Sequence, residues 1–446
     1  PNLWLRYVDT LIYSSKFRKA QNLLDDYIDT HGHNAQSSLL ECMLAVQNKD
    51  NARARKAAER AVELGPDNPQ AYLYRARLKF LDNVDAYRQE IIADLNKALE
   101  LNPSLVSARE MLVEAYITSG KPQHMDSAIK HLEAIIESKP AYMPARQKLL
   151  ALYQQTNDDV RYETLLDDSI ETMPDTPAWR ILRARRYMNA GKPAQAVRDL
   201  REAFDQERRP GTLVLLGKAL LQDDKPEEAV KLLEQWIAPL GVSPQLLTVQ
   251  AAAYSATGDD EKAIQAFTRA RKEARSASEL QQLVVQMQEA LTARKAIALL
   301  QDWEKSDDSG VVSMLLGQAL LEAGNPDRAR QQLEKCRRNI QDGNPNARAL
   351  LHTIAMTYQL ELQDYREAAK VYENVLRVQP NDFVALNNLS FLYSEHMNQP
   401  EKAIEYAEKA RDHVPANDPA QVANVLDTLG WAQFKANKLN EAKLTL

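Results

Sequence analysis

The sequence has few of the features that mark a disulfide-rich, membrane-spanning or nucleic-acid-binding protein. Its two cysteines, Cys42 and Cys336, are too few for a disulfide framework. The longest apolar runs, at 212–221 and 311–321, are too short to span a bilayer and are interrupted by glycine and polar residues. The formal net charge is −6, so the chain lacks the basic excess that binding to nucleic acid or to an anionic membrane requires.

Catalytic and metal-binding signatures are also missing from the sequence. There is no Walker loop, no GxGxxG, no HExxH and no GxSxG. His31 and His33 are close together, but no further ligand follows at the usual spacing. Carboxylate pairs such as Asp25 and Asp26 are typical of a solvated helix face. We therefore expect no enzyme activity, no metal and no cofactor within residues 1–446.

The hydrophobic pattern is helical throughout. Apolar residues recur at three- and four-residue spacing, and no stretch alternates as a half-buried strand would. Prolines stand between the helical patterns, where helix ends tolerate them. The pattern predicts an all-α protein.

The helical pattern repeats along the chain. Residues 61–80, 98–116 and 375–393 each contain the end of one helix, a proline-containing turn and the start of the next helix. The turn prolines, where successive repeats can be compared, are 34 to 37 residues apart: Pro66, Pro103, Pro140, Pro174, Pro380 and Pro415. A period of this length is typical of a solenoid of helical hairpins.

Small and large residues recur at fixed places within each period. The first helix carries a small residue, as at Gly217 and Gly317, and an alanine follows twelve residues later in the second helix. A bulky apolar residue, as at Leu233 and Leu333, comes four residues after that alanine. Small residues opposite large ones allow antiparallel helices to interlock. In this register Cys42 and Cys336 fall in core positions, so we expect both to be buried free thiols.

These positions, with a recurring tyrosine in the first helix, closely resemble the tetratricopeptide repeat family, including its large bacterial multi-repeat scaffold proteins. The resemblance implies an all-α, right-handed superhelical solenoid of about 13 helical hairpins, or about 26 helices, in one continuous array over 1–446. The ninth repeat, which has no tyrosine and no turn proline, leaves the local stacking angle open. The repeats start near residues 1, 35, 69, 106, 143, 177, 210, 244, 277, 310, 348, 383 and 423.

The resemblance also implies a function, which is a non-catalytic scaffold that binds a peptide or protein partner in the concave groove formed by the first helices. The ninth position of each repeat faces that groove in the family, and Arg77 and Arg185 both occupy it. Either they belong to a solvated charged face, or they bind acidic side chains or a carboxylate of a partner through the fork geometry of arginine. The family's carboxylate clamp, Lys at the fifth and Asn at the ninth position, is absent. The candidate groove residues are Arg77, Arg185, Lys218, Gln318, Asn387, Phe391 and Trp431.

Two other functions stay open at this point. The last repeats look like the closing repeats of bacterial proteins of exopolysaccharide export and envelope sorting, and Trp431 there is either a partner contact or a cover for the final hairpin. The chain is alternatively the repeat arm of a larger enzyme. Because Leu439, Ala442 and Leu446 would leave an apolar face uncapped, we expect more chain or a partner after residue 446. The ligand, the compartment (cytoplasm or periplasm) and the oligomeric state are left open.

Overall fold

A computed structural model describes residues 2–340 and 344–446. These residues form 25 α-helices and contain no strand, which confirms the predicted fold class. The chain divides into two compact units, Pro1–Arg183 (unit 1) and Ala184–Leu446 (unit 2), and each is described by itself. The prediction of one continuous array stays a prediction.

Unit 1 contains nine helices and the first part of a tenth. Their bounds are α1 Asn2–Tyr13, α2 Phe17–His31, α3 Ala35–Gln47, α4 Asn51–Leu64, α5 Pro69–Leu101, α6 Val106–Ile117, α7 Pro122–Ser138, α8 Met143–Gln155, α9 Asp159–Thr172 and α10 Pro177–Asn189.

Unit 2 contains the rest of α10 and fifteen further helices. Their bounds are α11 Pro193–Gln206, α12 Pro210–Gln222, α13 Pro226–Leu240, α14 Pro244–Ala256, α15 Asp260–Glu273, α16 Ala277–Ala290, α17 Ala293–Glu304, α18 Val311–Glu322, α19 Pro326–Asn339, α20 Ala347–Met356, α21 Tyr365–Val378, α22 Phe383–Glu395, α23 Pro400–His413, α24 Pro419–Lys435 and α25 Leu439–Thr445. None of the described helices is both long enough and apolar enough to cross a membrane.

The first helices begin within two residues of the predicted repeat starts in every repeat except the last. In the last repeat α24 begins at Pro419 rather than near residue 423, because the Asp418 side chain caps the helix by accepting a hydrogen bond from the Gln421 N–H at 3.2 Å.

Repeat 3 also differs from the prediction. Its two helices are joined in α5, which kinks at Asn83 (φ −163°, ψ 101°). The Asn83 side chain caps the second half by accepting from the Ala86 N–H at 3.0 Å.

Most hairpin turns share one backbone feature. Eleven of the thirteen turns between a first and a second helix contain one residue with positive φ. The turns of repeats 3 and 9 lack it, and these are the irregular repeats. In repeat 9, α16 packs mainly on α14 and α17 packs mainly on α18, so the hairpin between them is loose. The residues with positive φ are Ser15, Lys49, Gly120, Asn157, Gly191, Asp224, Gly258, Gly324, Gln363, Asn398 and Asn437.

The predicted interlocking of small and large residues is present in the core of unit 2. A Cβ atom placed on Gly317 would lie 2.6 Å from Leu333 Cδ2. A Cβ on Gly217 would lie 2.8 Å from Val249 Cγ1 and 3.5 Å from Leu233 Cδ1. The distances to Leu333 and to Val249 are below van der Waals contact, so a side chain at Gly317 or Gly217 would force these neighbours to move, whereas the distance to Leu233 is an ordinary contact.

The recurring tyrosine of the first helix has a polar anchor that the sequence pattern did not suggest. In three repeats its hydroxyl donates to a glutamate located 20 residues earlier, at 2.8 Å, and a lysine or arginine lies over its ring. Burial, and then the hydrogen bond to the glutamate, raises the pKa of each of these phenols, for Tyr254 to about 12. The three sets are Tyr153–Glu133–Arg161, Tyr254–Glu234–Lys262 and Tyr393–Glu373–Lys402.

Burial also shifts the pKa of two cysteines and one histidine. Cys42 and Cys336 are free thiols and almost fully buried, as predicted, and burial raises the pKa of each to about 12. His131 on α7 is largely enclosed, and burial followed by the positive charge of Arg109 lowers its pKa to about 4. This imidazole is therefore neutral at physiological pH.

Candidate partner-binding groove

The ninth positions of the repeats in unit 2 change from basic to apolar along the chain. Arg185 and Lys218 occupy this position in repeats 6 and 7, and large uncharged side chains occupy it from repeat 9 onward. Four of these apolar side chains are substantially exposed: Val285 (49%), Met356 (48%), Phe391 (39%) and Trp431 (41%). Exposed large apolar side chains that recur at one position are unusual for a surface with no partner.

A groove of about 750 Å³ lies among the first helices of repeats 9, 10 and 11, and we call it the first-helix groove. Its volume falls within the range of sites that bind ligands. It is lined by Gln281, Val284, Val285, Gln288, Leu315, Gln318, Leu321, Glu322, Pro326, Thr353, Met356, Thr357, Leu360, Glu361 and Leu362.

The spacing of the first helices explains why the groove opens here. The first helices contact each other closely from α12 to α14 and from α14 to α16. The contact is much less close between α16 and α18 and between α18 and α20. The loose hairpin of repeat 9 lies at this change of spacing, and the space left between the first helices forms the groove.

One wall of the groove is a π-helical turn. After α20 the helix continues as a π-helix over Thr357–Glu361. The distance in sequence from the small residue to the second-helix alanine is thirteen residues here, Ala355 to Ala368, against twelve from Gly317 to Ala329. The π-turn accommodates the additional residue. It leaves Leu360 (61% exposed) on the groove wall, and π-turns are often found at functional sites.

The charged side chains of the groove are acidic. Glu322 and Glu361 both line it, and Glu322 accepts a hydrogen bond from the Gln288 side chain. Within the described part of the chain, neither carboxylate pairs with a lysine or an arginine, and no basic residue lines the groove. The groove therefore combines an apolar floor with uncharged polar side chains, from glutamine and threonine, and with negative charge at its exposed rim.

Phe391 and Trp431 lie on α22 and α24, which contact each other. The Trp431 ring stacks on Phe434 with 5.4 Å between ring centroids, and its indole N–H donates to Glu395. That hydrogen bond, together with the Lys435 ammonium 3.0 Å away, lowers the pKa of Glu395 below its ordinary value. Trp431 is therefore held in place by polar contacts while its ring stays partly exposed.

Two further predicted residues also lie on first helices of unit 2. Gln318 is half-buried and lines the first-helix groove. Asn387 is half-buried on α22, and its Oδ1 accepts no hydrogen bond within the described residues. Lys218 is half-buried on α12, two repeats before the groove begins.

The predicted arginines fall in separate units. Arg77 is exposed in unit 1 and lines a small pocket of about 70 Å³ with Tyr74 and Leu81. Arg185 is exposed in unit 2. Two neighbours of Arg185 in the same basic stretch have structural contacts, because Arg180 donates to the Pro174 carbonyl and Arg183 pairs with Asp167, each at 2.8 Å. That Arg77 and Arg185 bind acidic side chains or a carboxylate of a partner stays a prediction.

Sequence reasoning missed most of the apolar groove residues. Val285, Met356 and Leu360 were not among the candidates, because an apolar residue on an amphipathic helix is by default assigned to the core, and the acidic Glu361 was missed as well. Counting the ninth position through every repeat would have identified Val285 and Met356. Leu360 and Glu361 reach the groove through the π-turn. Among the described residues, no three histidine, cysteine or acidic side chains are grouped as metal ligands.

Comparison with known proteins agrees with the helical hairpins. Sequence models described as tetratricopeptide repeat match residues 8–69, 39–83 and 181–244, residues 292–353, and residues 349–382. Tetratricopeptide repeat protein 21A of Mus musculus is 24% identical over 328 residues, which are 69% of this chain and 24% of that protein. The chain thus spans about a quarter of the length of this curated relative.

Solved structures similar to the chain include those of Naa15/Naa10, the P58(IPK) TPR domain and MamA. Naa15/Naa10 bound to HypK-THB has a TM-score of 0.46 at 14% identity and covers 92% of this chain and 67% of that chain. The P58(IPK) TPR domain has a TM-score of 0.23 at 16% identity, with coverages of 91% and 98%. MamA has a TM-score of 0.33 at 18% identity, with coverages of 39% and 91%.

The fold and the exposed row of ninth positions define a helical-repeat protein with a surface suited to macromolecular contacts. Together with the sequence matches, they show that the chain belongs to the multi-repeat tetratricopeptide repeat proteins. Proteins of this class generally serve as scaffolds for protein–protein interaction and are generally not catalysts.

Proposed function

We propose that the chain is a non-catalytic scaffold that holds a segment of a partner protein along the first-helix groove of unit 2. The observation that carries the proposal is the exposed apolar side chain at the ninth position of repeats 9, 11, 12 and 13, with the half-buried Gln318 in repeat 10. Val285 and Met356 line the groove, and Phe391 and Trp431 extend the apolar surface outside its lining. Exposing these side chains to water is unfavourable, and a partner that covers them removes that cost.

The types of side chain support a binding role. Aromatic residues and methionine are enriched at protein interfaces and supply much of their binding energy. Methionine also adapts its shape to different partners, since its side chain is flexible and polarizable. Met356, Phe391 and Trp431 are therefore the side chains that we expect to contribute most. Arg185 and Lys218, at the ninth positions of earlier repeats, would extend the surface for acidic residues of the same partner.

The proposal can be tested without knowing the natural partner. A display library of random peptides is selected against the intact chain, and the selected peptides are measured by fluorescence anisotropy. Met356→Asp introduces a charge into the groove and should weaken binding by more than ten-fold. Val285→Asp should act in the same direction.

The matched control is Val160→Asp. Val160 is 77% exposed on α9, a second helix of unit 1, so the same change there leaves the groove untouched. Circular dichroism should show equal helix content in all variants. A selection that yields no binders, or binders that tolerate Met356→Asp as well as Val160→Asp, would refute the proposal.

The roles of envelope assembly component and repeat arm of a larger enzyme stay predictions. The complete open reading frame tests both, since it reveals any export signal before residue 1 and any catalytic domain after residue 446.

A further inference from the structure

We infer that the first-helix groove takes an amphipathic α-helix of a partner protein, with an apolar face flanked by lysine or arginine. The inference rests on the proposed function and adds the conformation and the charge of the ligand. Three properties of the groove support it: its apolar floor, the order in which successive helices supply that floor, and the acidic rim.

The apolar floor favours a helix over an extended peptide. Leu315 is buried at the base of the groove, and Val285, Met356 and Leu360 are exposed along it. These hydrocarbon side chains cannot accept or donate hydrogen bonds, and the glutamine and threonine side chains of the lining supply few partners for the backbone groups that an extended peptide carries. A helix satisfies those groups internally and presents only side chains to the floor.

The anchors are distributed in a way that suits a helix lying across the repeats. Val285, Leu315 and Met356 come from three successive first helices, α16, α18 and α20. Seven residues of a helix rise about 10 Å, which is close to the distance between the axes of packed helices. The first helices that line the groove approach less closely than packed helices, so a ligand helix with an apolar residue at least every two turns would meet each of them in turn.

The rim of the groove selects the charge of the ligand. Glu322 and Glu361 carry negative charge at the groove, and within the described residues no cation offsets either of them. A basic ligand would gain from both carboxylates, and an acidic ligand would be repelled by both. The ligand thus differs from the acidic one that Arg77 and Arg185 suggest elsewhere on the chain.

The test uses three synthetic 18-residue peptides labelled with fluorescein and the intact chain. The basic probe has leucine at helical i, i+3, i+7 spacing and lysine at the flanking positions. The acidic probe carries glutamate in place of each lysine, and the broken probe is the basic one with two central prolines. The basic probe should bind at least about ten-fold more tightly than either of the others, with an affinity that falls as salt is added.

The charge preference should reverse when the rim is reversed. Glu322→Lys with Glu361→Lys should weaken the basic probe about ten-fold and strengthen the acidic probe. The matched control is Glu289→Lys with Glu408→Lys, which makes the same change in net charge at two exposed positions outside the groove lining. This control should leave the preference for the basic probe in place.

The outcomes separate the inference from the proposed function. Suppose that the selected peptides whose binding is weakened by Met356→Asp prove to be acidic, or bind equally well after proline is introduced. The inference of a basic helical ligand is then wrong, and the groove remains a binding site. If Met356→Asp weakens the binding of no selected peptide, both the inference and the proposed function are wrong. If the control pair changes the preference as much as the rim pair, the selectivity comes from net charge and the inference falls.

Discussion

Replacing Gly317 by alanine should destabilise unit 2, although alanine is the better helix former. The new Cβ would lie 2.6 Å from Leu333 Cδ2 and 2.9 Å from Leu333 Cγ. Optimal contact between carbon atoms is about 3.5–4.0 Å. Rotation of the leucine end moves Cδ2 but hardly moves Cγ, so α18 and α19 have to separate.

The expected size follows from two opposing effects. Overpacking of a core by one methyl group costs about 1–3 kcal/mol. The higher helix propensity of alanine returns up to about 1 kcal/mol. We therefore expect a net loss of about 1 kcal/mol in the free energy of unfolding.

Gly211 provides the control. It also lies in a first helix, at the start of α12, where an added Cβ meets no atom within 4 Å. Gly211→Ala should be neutral or slightly stabilising. A loss of stability in Gly317→Ala but not in Gly211→Ala would therefore be due to the steric conflict and not to helix propensity.

A double mutant measures the interlock directly. Leu333→Ala alone should cost about 2–5 kcal/mol, since Leu333 is fully buried. When Leu333→Ala is combined with Gly317→Ala, the steric conflict between the two side chains disappears. The methyl group at position 317 then fills part of the cavity that the leucine leaves. The double mutant should therefore be more stable than additivity predicts by about 1–3 kcal/mol.

The measurements are urea unfolding followed by circular dichroism and hydrogen exchange of the α18 and α19 amides. Exchange is needed because repeat proteins often unfold in stages. Strict additivity, or a stabilising Gly317→Ala, would mean that α18 and α19 do not interlock through this glycine.

Three further predictions concern polar and titratable groups. Tyr254→Phe removes the hydroxyl that donates to Glu234 and should cost about 1 kcal/mol in urea unfolding; an unchanged midpoint would argue against the anchor. Because burial raises the pKa of Tyr254 to about 12, the folded chain holds this proton more tightly than the unfolded chain, so stability should fall as pH rises from about 10 to 12. The pKa of His131 is lowered to about 4, so the unfolded chain binds this proton more tightly and stability should fall as pH decreases from about 6.5 to 4. His131→Gln should reduce that acid sensitivity, and equal sensitivity would refute the assignment. Cys42 and Cys336, with pKa values of about 12, should react with a disulfide reagent only after urea is added, and fast reaction of the native chain would contradict their burial.

The repeat register was predictable from the sequence because it depends on steric size. Gly317 and Leu333 are a small and a large residue at a spacing that recurs, and packing leaves little choice at such positions. Helix starts were predictable for a similar reason, since prolines such as Pro177 and Pro326 fit the first helical turn.

The irregular places were not predictable, because small differences in turn energy decide them. Asn83 joins two helices without a separate loop, and no glycine or proline near it marks the kink. The extra residue between Ala355 and Ala368 was visible in the spacing, but the sequence did not indicate that a π-turn rather than a longer loop would hold it.

The candidate site was predicted in part. Gln318, Phe391 and Trp431 were found because the repeat register places them at the groove-facing ninth position, and they lie on the first helices of unit 2 as expected. Val285 and Met356 were missed, since apolar residues carry no signal that distinguishes an exposed position from a buried one. The three-dimensional register supplies that distinction.

The π-turn at Thr357–Glu361 allows the direction of the Leu360 side chain to change without a change in the core packing of the repeat. Deleting one residue from this turn would restore ordinary helical winding and swing Leu360 by about 100° around the helix axis. The deletion would also shorten the spacing of the buried pair Ala355 and Ala368 from thirteen residues to twelve, which is the spacing of the packed pair Gly317 and Ala329. A change of one residue in chain length can thus alter which side chain this repeat exposes to a ligand, while the packing of its two helices stays the same.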